Sequence, residues 1–163
     1  MRIIDIIDGT TVDGPGFRNS NYFAGCAHAC PGCHNPQTWS FDAGTEMTLA
    51  QVLERVDAND QDVTLSGGDP MYRIPEILPL CRALRQRGRT IWVYTGFTFD
   101  QLLTLDGADQ LLPLIEVVVD GPFVQTLRDT SLLFRGSSNQ RLIDVARTLQ
   151  APDSPPALWQ SPF

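Results

Sequence analysis

Three of the four cysteines fall within eight positions, in Gly25-Cys26-Ala27-His28-Ala29-Cys30-Pro31-Gly32-Cys33-His34-Asn35, spaced C-x3-C-x2-C; the fourth, Cys81, lies far away. Three thiolates on one tight loop can hold three corners of a cubane iron–sulfur cluster. Full cysteine ligation takes four, so one iron is left without a protein ligand. An open coordination position is how a catalytic metal site admits substrate, and the spacing therefore predicts a reactive cluster. Zinc is the alternative, with His28 or His34 as a fourth ligand beside a C-x2-C half-site. The second ligand pair of a common zinc motif is missing, since both histidines of the chain sit inside this loop. An odd trio of cysteines is a poor disulfide framework. Cys81 shares an apolar helical stripe with Ile74, Ile77 and Leu78 and reads as a core residue.

The elements that must position this loop come from a chain of 163 residues, enough for one domain with a sizeable core. Residues 1–151 read as that domain and 152–163 as a proline-rich tail without periodicity, expected to be mobile unless Trp159 and Phe163 pack on the domain or a partner. Net charge is −7, which argues against a nucleic-acid partner. No apolar run approaches the roughly 20 residues of a membrane helix. The start, Met1-Arg2-Ile3-Ile4-Asp5, is too acidic for a signal peptide. A cytoplasmic location, where thiols stay reduced, is the expectation.

Strands are expected at Ile3–Ile7, Asn21–Ala24, Asp62–Ser66, Thr90–Tyr94 and Ile115–Val119, with a further one at Leu132–Phe134. Thr48 to Gln51 and Thr98 to Gln101 read as capping boxes opening helices. Leu49, Val52, Leu53 and Val56 keep one helical face. A second helix runs from Ile74 toward a stop at Gly88, and Pro79 should kink or shorten it. A last helix is expected after Ser138-Asn139, with Leu142, Val145, Ala146 and Leu149 on one face.

Alternating strands and helices predict an α/β fold with a mostly parallel sheet. In such folds ligands sit outside the carboxyl ends of the strands. Those ends lead into the cysteines, into Ser66-Gly67-Gly68-Asp69, into Thr95-Gly96 and into Asp120-Gly121, implying one shared mouth. Gly67-Gly68 offers backbone that a ligand with an amine and a carboxylate can approach closely.

These stretches carry a resemblance. Asp13-Gly14-Pro15-Gly16-Phe17-Arg18, the cysteine loop with Trp39, Leu65–Pro70, Trp92–Gly96, Val119–Gly121 with Phe123-Val124, and Arg135-Gly136-Ser137-Ser138-Asn139-Gln140 span most of residues 13–146. Together they resemble the radical S-adenosylmethionine enzymes, and within them the family that activates anaerobic ribonucleoside-triphosphate reductase. The cysteine loop marks the superfamily; the segment from Arg135 to Gln140 is more particular to the activases. Two positions depart from the wider superfamily pattern: Gly32 and His34 stand where aromatic residues are frequent.

The resemblance implies a partial (β/α) barrel, because a closed barrel of eight repeats needs about 250 residues. It implies a [4Fe–4S] cluster on Cys26, Cys30 and Cys33, and S-adenosylmethionine chelated to the fourth iron. One electron from a flavodoxin-type reductant would then cleave the cofactor to methionine and a 5′-deoxyadenosyl radical. That radical would take a hydrogen from a glycine near the C-terminus of the reductase, within a hetero-oligomer of the two proteins. Gly32, Cys33 and His34 would flank the cofactor and Gly68 would meet its methionyl end. Ser66, Thr95 and Asp120 would touch the amine, the ribose or a bound cation, with plain turn or cap chemistry as the alternative for each. Arg135 and Asn139 would face cofactor or partner, unless Asn139 simply caps a helix. The rival functions are activation of another glycyl radical enzyme, of the pyruvate formate-lyase type, and a non-catalytic metal-binding module.

Overall fold

The computed structural model describes residues 1–162. Seven strands form one mixed sheet: β1 (Arg2–Thr10), β2 (Arg18–Phe23), β3 (Thr45–Glu46), β4 (Asp62–Gly67), β5 (Ile91–Tyr94), β6 (Val117–Asp120) and β7 (Arg141–Asp144), in the order β3-β1-β2-β4-β5-β6-β7. The middle strands β2, β4, β5 and β6 are mutually parallel. Both flanks are antiparallel, with β1 against β2 and β3 on one side and β7 against β6 on the other. The parallel centre is the expected part; of the antiparallel flanks, β1 and β2 are consecutive strands with Thr10 opposite Arg18, while β3 joins β1 and β7 joins β6 from farther along the chain.

Strand alternation divides the side chains between the two faces of the sheet. Val63, Leu65, Ile91, Val93, Val118 and Ile143 share one core with residues of every helix: α1 (Leu49–Asp57), α2 (Ile74–Gln86), α3 (Phe99–Leu102), α4 (Ala108–Leu111) and α5 (Val145–Gln150). Their neighbours Trp92, Val117, Val119 and Leu142 point the other way, into a smaller aromatic cluster with Tyr94, Phe134 and Trp159. Loops and the C-terminal tail cover that second face. The tail is anchored, not loose: the Trp159 N–H donates to the Leu142 carbonyl (2.8 Å) and its ring stands edge-on to Trp92 at 4.9 Å. Phe163 lies outside the described residues.

Both capping boxes form, with Thr48 and Thr98 each accepting from and bonded back by the glutamine three residues on. Two local expectations are overturned. Residues 141–144 are a strand, not part of the last helix, because β6 offers an open edge that Leu142 and Ile143 fill; α5 starts after Asp144, whose side chain accepts from the Arg147 N–H at 3.0 Å. Asn139 therefore caps no helix, and its amide donates to the Pro122 carbonyl (2.8 Å). Residues 132–134 form a turn, with Phe134 at a φ of 55° and its ring against Trp92. Pro79 does not shorten α2, which continues through it for 13 residues. Proline removes one bond to the preceding turn, and the buried stripe of Ile77, Leu80, Cys81 and Leu84 outweighs that loss.

Candidate functional site

The cysteine loop leaves the end of β2 and is pinned at both ends. The Gly25 N–H donates to the Thr38 carbonyl (2.7 Å) and the Cys26 N–H to the Trp39 carbonyl (3.1 Å). Within the loop the Cys33 N–H donates to the Cys30 carbonyl (3.1 Å), and Ala29 turns the chain with a φ of 49°. Farther on, the Thr38 hydroxyl donates to the Asn35 carbonyl (2.6 Å) and the Asn35 N–H to the Cys33 sulfur (3.4 Å). β4 runs parallel beside β2 with Phe23 opposite Gly67, so the Gly67–Gly68 turn lies directly under the loop. The Gly68 N–H donates to the Phe23 carbonyl (2.8 Å) and the Asp69 N–H to the Gly25 carbonyl (2.9 Å).

Cys26, Cys30 and Cys33 are half-buried free thiols that line one cavity of about 150 Å³, together with His34, Ser66, Gly68 and Thr95. A second cavity of about 310 Å³ shares His34, Asn35, Ser66, Tyr94 and Gln140 with the first and reaches Val12, Asp13 and Arg135. Its size falls in the range of small-molecule sites, about 300–1,000 Å³. The Ser66 hydroxyl has no hydrogen-bond partner among the described residues. Thr95 is differently engaged, donating to Asp69 Oδ2 (2.8 Å) and accepting from the Phe97 N–H (3.1 Å).

Two of the residues singled out from sequence, Asp120 and Gly32, do not line either cavity. Asp120 is buried and accepts from the Phe99 N–H (2.8 Å) and from Arg141 (3.0 and 2.5 Å), linking the end of β6 to the start of α3 and to β7. Gly32 sits at a φ of 74° with Gln125 packed where a side chain would project. His34 is exposed and rests on Phe123, ring centroids 4.9 Å apart. Arg135 donates to the Gln140 carbonyl at 2.9 Å.

Sequence reasoning missed three contributors. Gln140 accepts from the Gly136 and Ser137 N–H groups (3.0 and 3.2 Å) and donates to the Gly121 carbonyl (3.1 Å), closing one wall. Tyr94 lines both cavities and donates to the Phe134 carbonyl (2.6 Å); burial pushes its phenol well above the usual tyrosine range. Asp69 is the third: it bonds His28, Thr95 and Gly96 at once. The only advance signal was membership of the motif stretches, because apart from the Gly136 and Ser137 bonds to Gln140 these contacts join residues far apart in sequence.

The donor set fits a cubane better than a single ion. Among the described residues no three His, Cys, Asp or Glu side chains converge on one metal point, whereas a cubane takes each thiolate at its own corner. The two histidines that would complete a zinc site are turned elsewhere, Nε2 of His28 to Asp69 and the ring of His34 to Phe123. Burial raises the pKa of the Cys26 thiol; the His28 backbone N–H opposes this, and Asp69, Cys30 and Cys33 add to it. Metal uptake must therefore displace a proton there.

The comparisons agree with this donor set. Residues 12–143 match the family model described as a 4Fe-4S single cluster domain, which defines the class. Over 139 residues the chain is 44% identical to a protein of Escherichia coli K12 named anaerobic ribonucleoside-triphosphate reductase-activating protein, covering 79% of this chain and 89% of that one. A Haemophilus influenzae protein of the same name is 38% identical over 152 residues, covering 86% and 96%. Another from bacteriophage T4 is 36% identical over 139 residues, covering 80% and 86%. The chain belongs to the family of anaerobic ribonucleoside-triphosphate reductase-activating proteins, with a single iron–sulfur cluster domain as its body.

Proposed function

We propose that this chain is the activating enzyme of an anaerobic ribonucleoside-triphosphate reductase, with Cys26, Cys30 and Cys33 as cluster ligands and S-adenosylmethionine as cosubstrate. The observation that carries this reading is the sharing of one cavity by three free thiols and the bare Gly67–Gly68 backbone. When bound, the [4Fe–4S] cluster supplies the electron that splits the sulfonium and so gives the 5′-deoxyadenosyl radical used on the reductase glycine.

The residues of the chain do the rest. The three thiolates would hold the cluster at three corners, in the cavity that Gly68 also lines. Gly67 and Gly68 present backbone to the amine and carboxylate of the methionyl end, and the unpartnered Ser66 hydroxyl is a further donor or acceptor there. Gly32 and His34 shape the loop side of the pocket. Thr95 acts through Asp69, and Asp120 through Arg141 and α3, each holding a strand end in place.

The same reading takes the sheet as an incomplete barrel, supported by the placement of the helices on one face and of loops on the other. The opening suits a protein substrate, joined in a hetero-oligomer with this chain, and a flavodoxin-type reductant. Thiol ligands suit the reducing cytoplasm. Among the described residues no helix is long and apolar enough to cross a membrane.

The test is anaerobic purification followed by iron and sulfide analysis, S-adenosylmethionine cleavage under dithionite, and EPR for a glycyl radical on the reductase. About four irons per chain are expected, with cluster and cleavage lost on Cys26→Ala, Cys30→Ala or Cys33→Ala. Cleavage that survives any of these replacements would overturn the assignment.

A further inference from the structure

Between the first two cysteines stands His28, whose ring reaches from the loop to Asp69 in the body of the protein. Its side chain is 16% exposed, and its Nε2 lies 2.7 Å from Oδ2 of Asp69, a carboxylate that is 1% exposed. The same oxygen accepts from the Thr95 hydroxyl (2.8 Å) and the Gly96 N–H (2.9 Å), while Oδ1 accepts from the Met71 N–H (2.9 Å). The imidazole is edge-on to Phe97 at 4.6 Å and tilted against Tyr72 at 5.4 Å. Gly96 completes the fit, since a Cβ there would stand 2.4 Å from the His28 ring. One buried carboxylate thus joins the loop to the ends of both β4 and β5.

We infer that the His28–Asp69 pair is a positioning device that orders the cysteine loop in the metal-free chain and thereby holds the cluster once it is loaded. The inference rests on the reading of Cys26, Cys30 and Cys33 as ligands. Fixing one residue of backbone costs about 1–2 kcal/mol. A loop already held at its midpoint has met part of that cost before iron arrives. His28 is then not a ligand; its imidazole donates inward, and the backbone on either side of it carries Cys26 and Cys30 at set positions. Groups outside the ligand set that orient the ligands typically change affinity 10- to 100-fold when removed, and the His28–Asp69 pair would act on Cys26 and Cys30 through the loop backbone.

The experiment compares the whole chain with His28→Phe, which keeps a ring between Phe97 and Tyr72 but no donor, and with His28→Gln, whose amide can restore the donor to Asp69. In the metal-free proteins, hydrogen–deuterium exchange is expected to quicken about tenfold over residues 26–34 in His28→Phe alone, with β4 and β5 unchanged. In the loaded proteins, iron release to a chelator is expected to be about tenfold faster for His28→Phe, with altered EPR of the reduced cluster, and near wild type for His28→Gln. Equal exchange in wild type and His28→Phe would overturn the inference. So would a uniform rise across the whole chain, which marks a merely structural residue, or failure of His28→Gln to restore slow release. Should the wild-type chain take up no iron, the ligand assignment fails, while the exchange data still decide whether the pair orders the loop.

Discussion

Arg18 lies over the ring of Trp92, its guanidinium carbon 5.5 Å from the ring centroid, on the sheet face that carries no helices. It donates to the Thr64 hydroxyl (2.8 Å) and the Val63 carbonyl (2.7 Å), and Gly14 packs so tightly on it that a Cβ there would reach Arg18 Cδ at 2.5 Å. Burial lowers its pKa, opposed by Asp62, Glu116 and Asp13. One side chain therefore ties the Asp13–Gly16 turn to β4 and β5. Bonds to charged groups contribute about 1.5–3 kcal/mol. Arg18→Met is expected to lower the unfolding free energy of the metal-free protein by about 2 kcal/mol, read by urea denaturation; an unchanged midpoint would contradict this role.

Gly68 presents a different constraint, set by backbone. A Cβ on it would stand 2.5 Å from the Gly25 carbonyl oxygen, and neither side of that contact is a flexible side chain. Insertions that force backbone shifts cost about 1–3 kcal/mol, and here the shift displaces the residue before Cys26. Gly68→Ala is expected to lower thermal stability and to reduce iron per chain after reconstitution. Full iron content in this variant would show that the approach is not needed.

Trp159 brings the tail onto Trp92 and Phe134, with ring centroids 4.9 and 6.1 Å away. Complete burial of a tryptophan makes its removal cost about 3–5 kcal/mol, and this one is half-buried. Trp159→Ala should cost about 2 kcal/mol in the same denaturation experiment. A loss below the error of the measurement would mean that the tail contributes no packing.

Cys81 supplies a chemical test of burial. Desolvation alone raises its thiol from 9.0 to about 12, and only the thiolate is nucleophilic. A raised thiol pKa keeps the proton on in the folded chain until about pH 12, whereas the unfolded thiol ionises near 9. At pH 8 the metal-free folded protein should take up alkylating reagent at Cys26, Cys30 and Cys33 only, by mass spectrometry, with Cys81 following once urea is added. Rapid labelling of Cys81 in the folded chain would contradict its place in the core.

Reading the chain without coordinates succeeds where the signal is local. The helical stripes of α1 and α2, the two capping boxes and the β-branched run of β6 are each decided within a few residues, so periodicity and cap chemistry reveal them. It fails at residues 141–144 for a physical reason. Leu142, Val145 and Leu149 suit a helix by spacing, but Leu142 and Ile143 also suit a strand, and the open edge of β6 chose. Asp120 reads from sequence as either a ligand contact or plain cap chemistry, and its carboxylate accepts from the Phe99 N–H and from Arg141, bonds that only the packing of α3 and β7 against β6 supplies.

By itself, the order of residues determined the chemistry on offer: three thiols at cubane spacing, a glycine pair at the next strand end, and the parallel strands that bring those ends together. Ligand spacing and turn residues are local properties, so no fold is needed to see them. Only the tertiary structure decided what surrounds them, namely that Asp69 grips His28, that Gln140 closes a wall and that the tail roofs the second face through Trp159. Those partners lie between 19 and 67 positions apart in the chain, and no periodicity encodes a contact made only when separate elements pack.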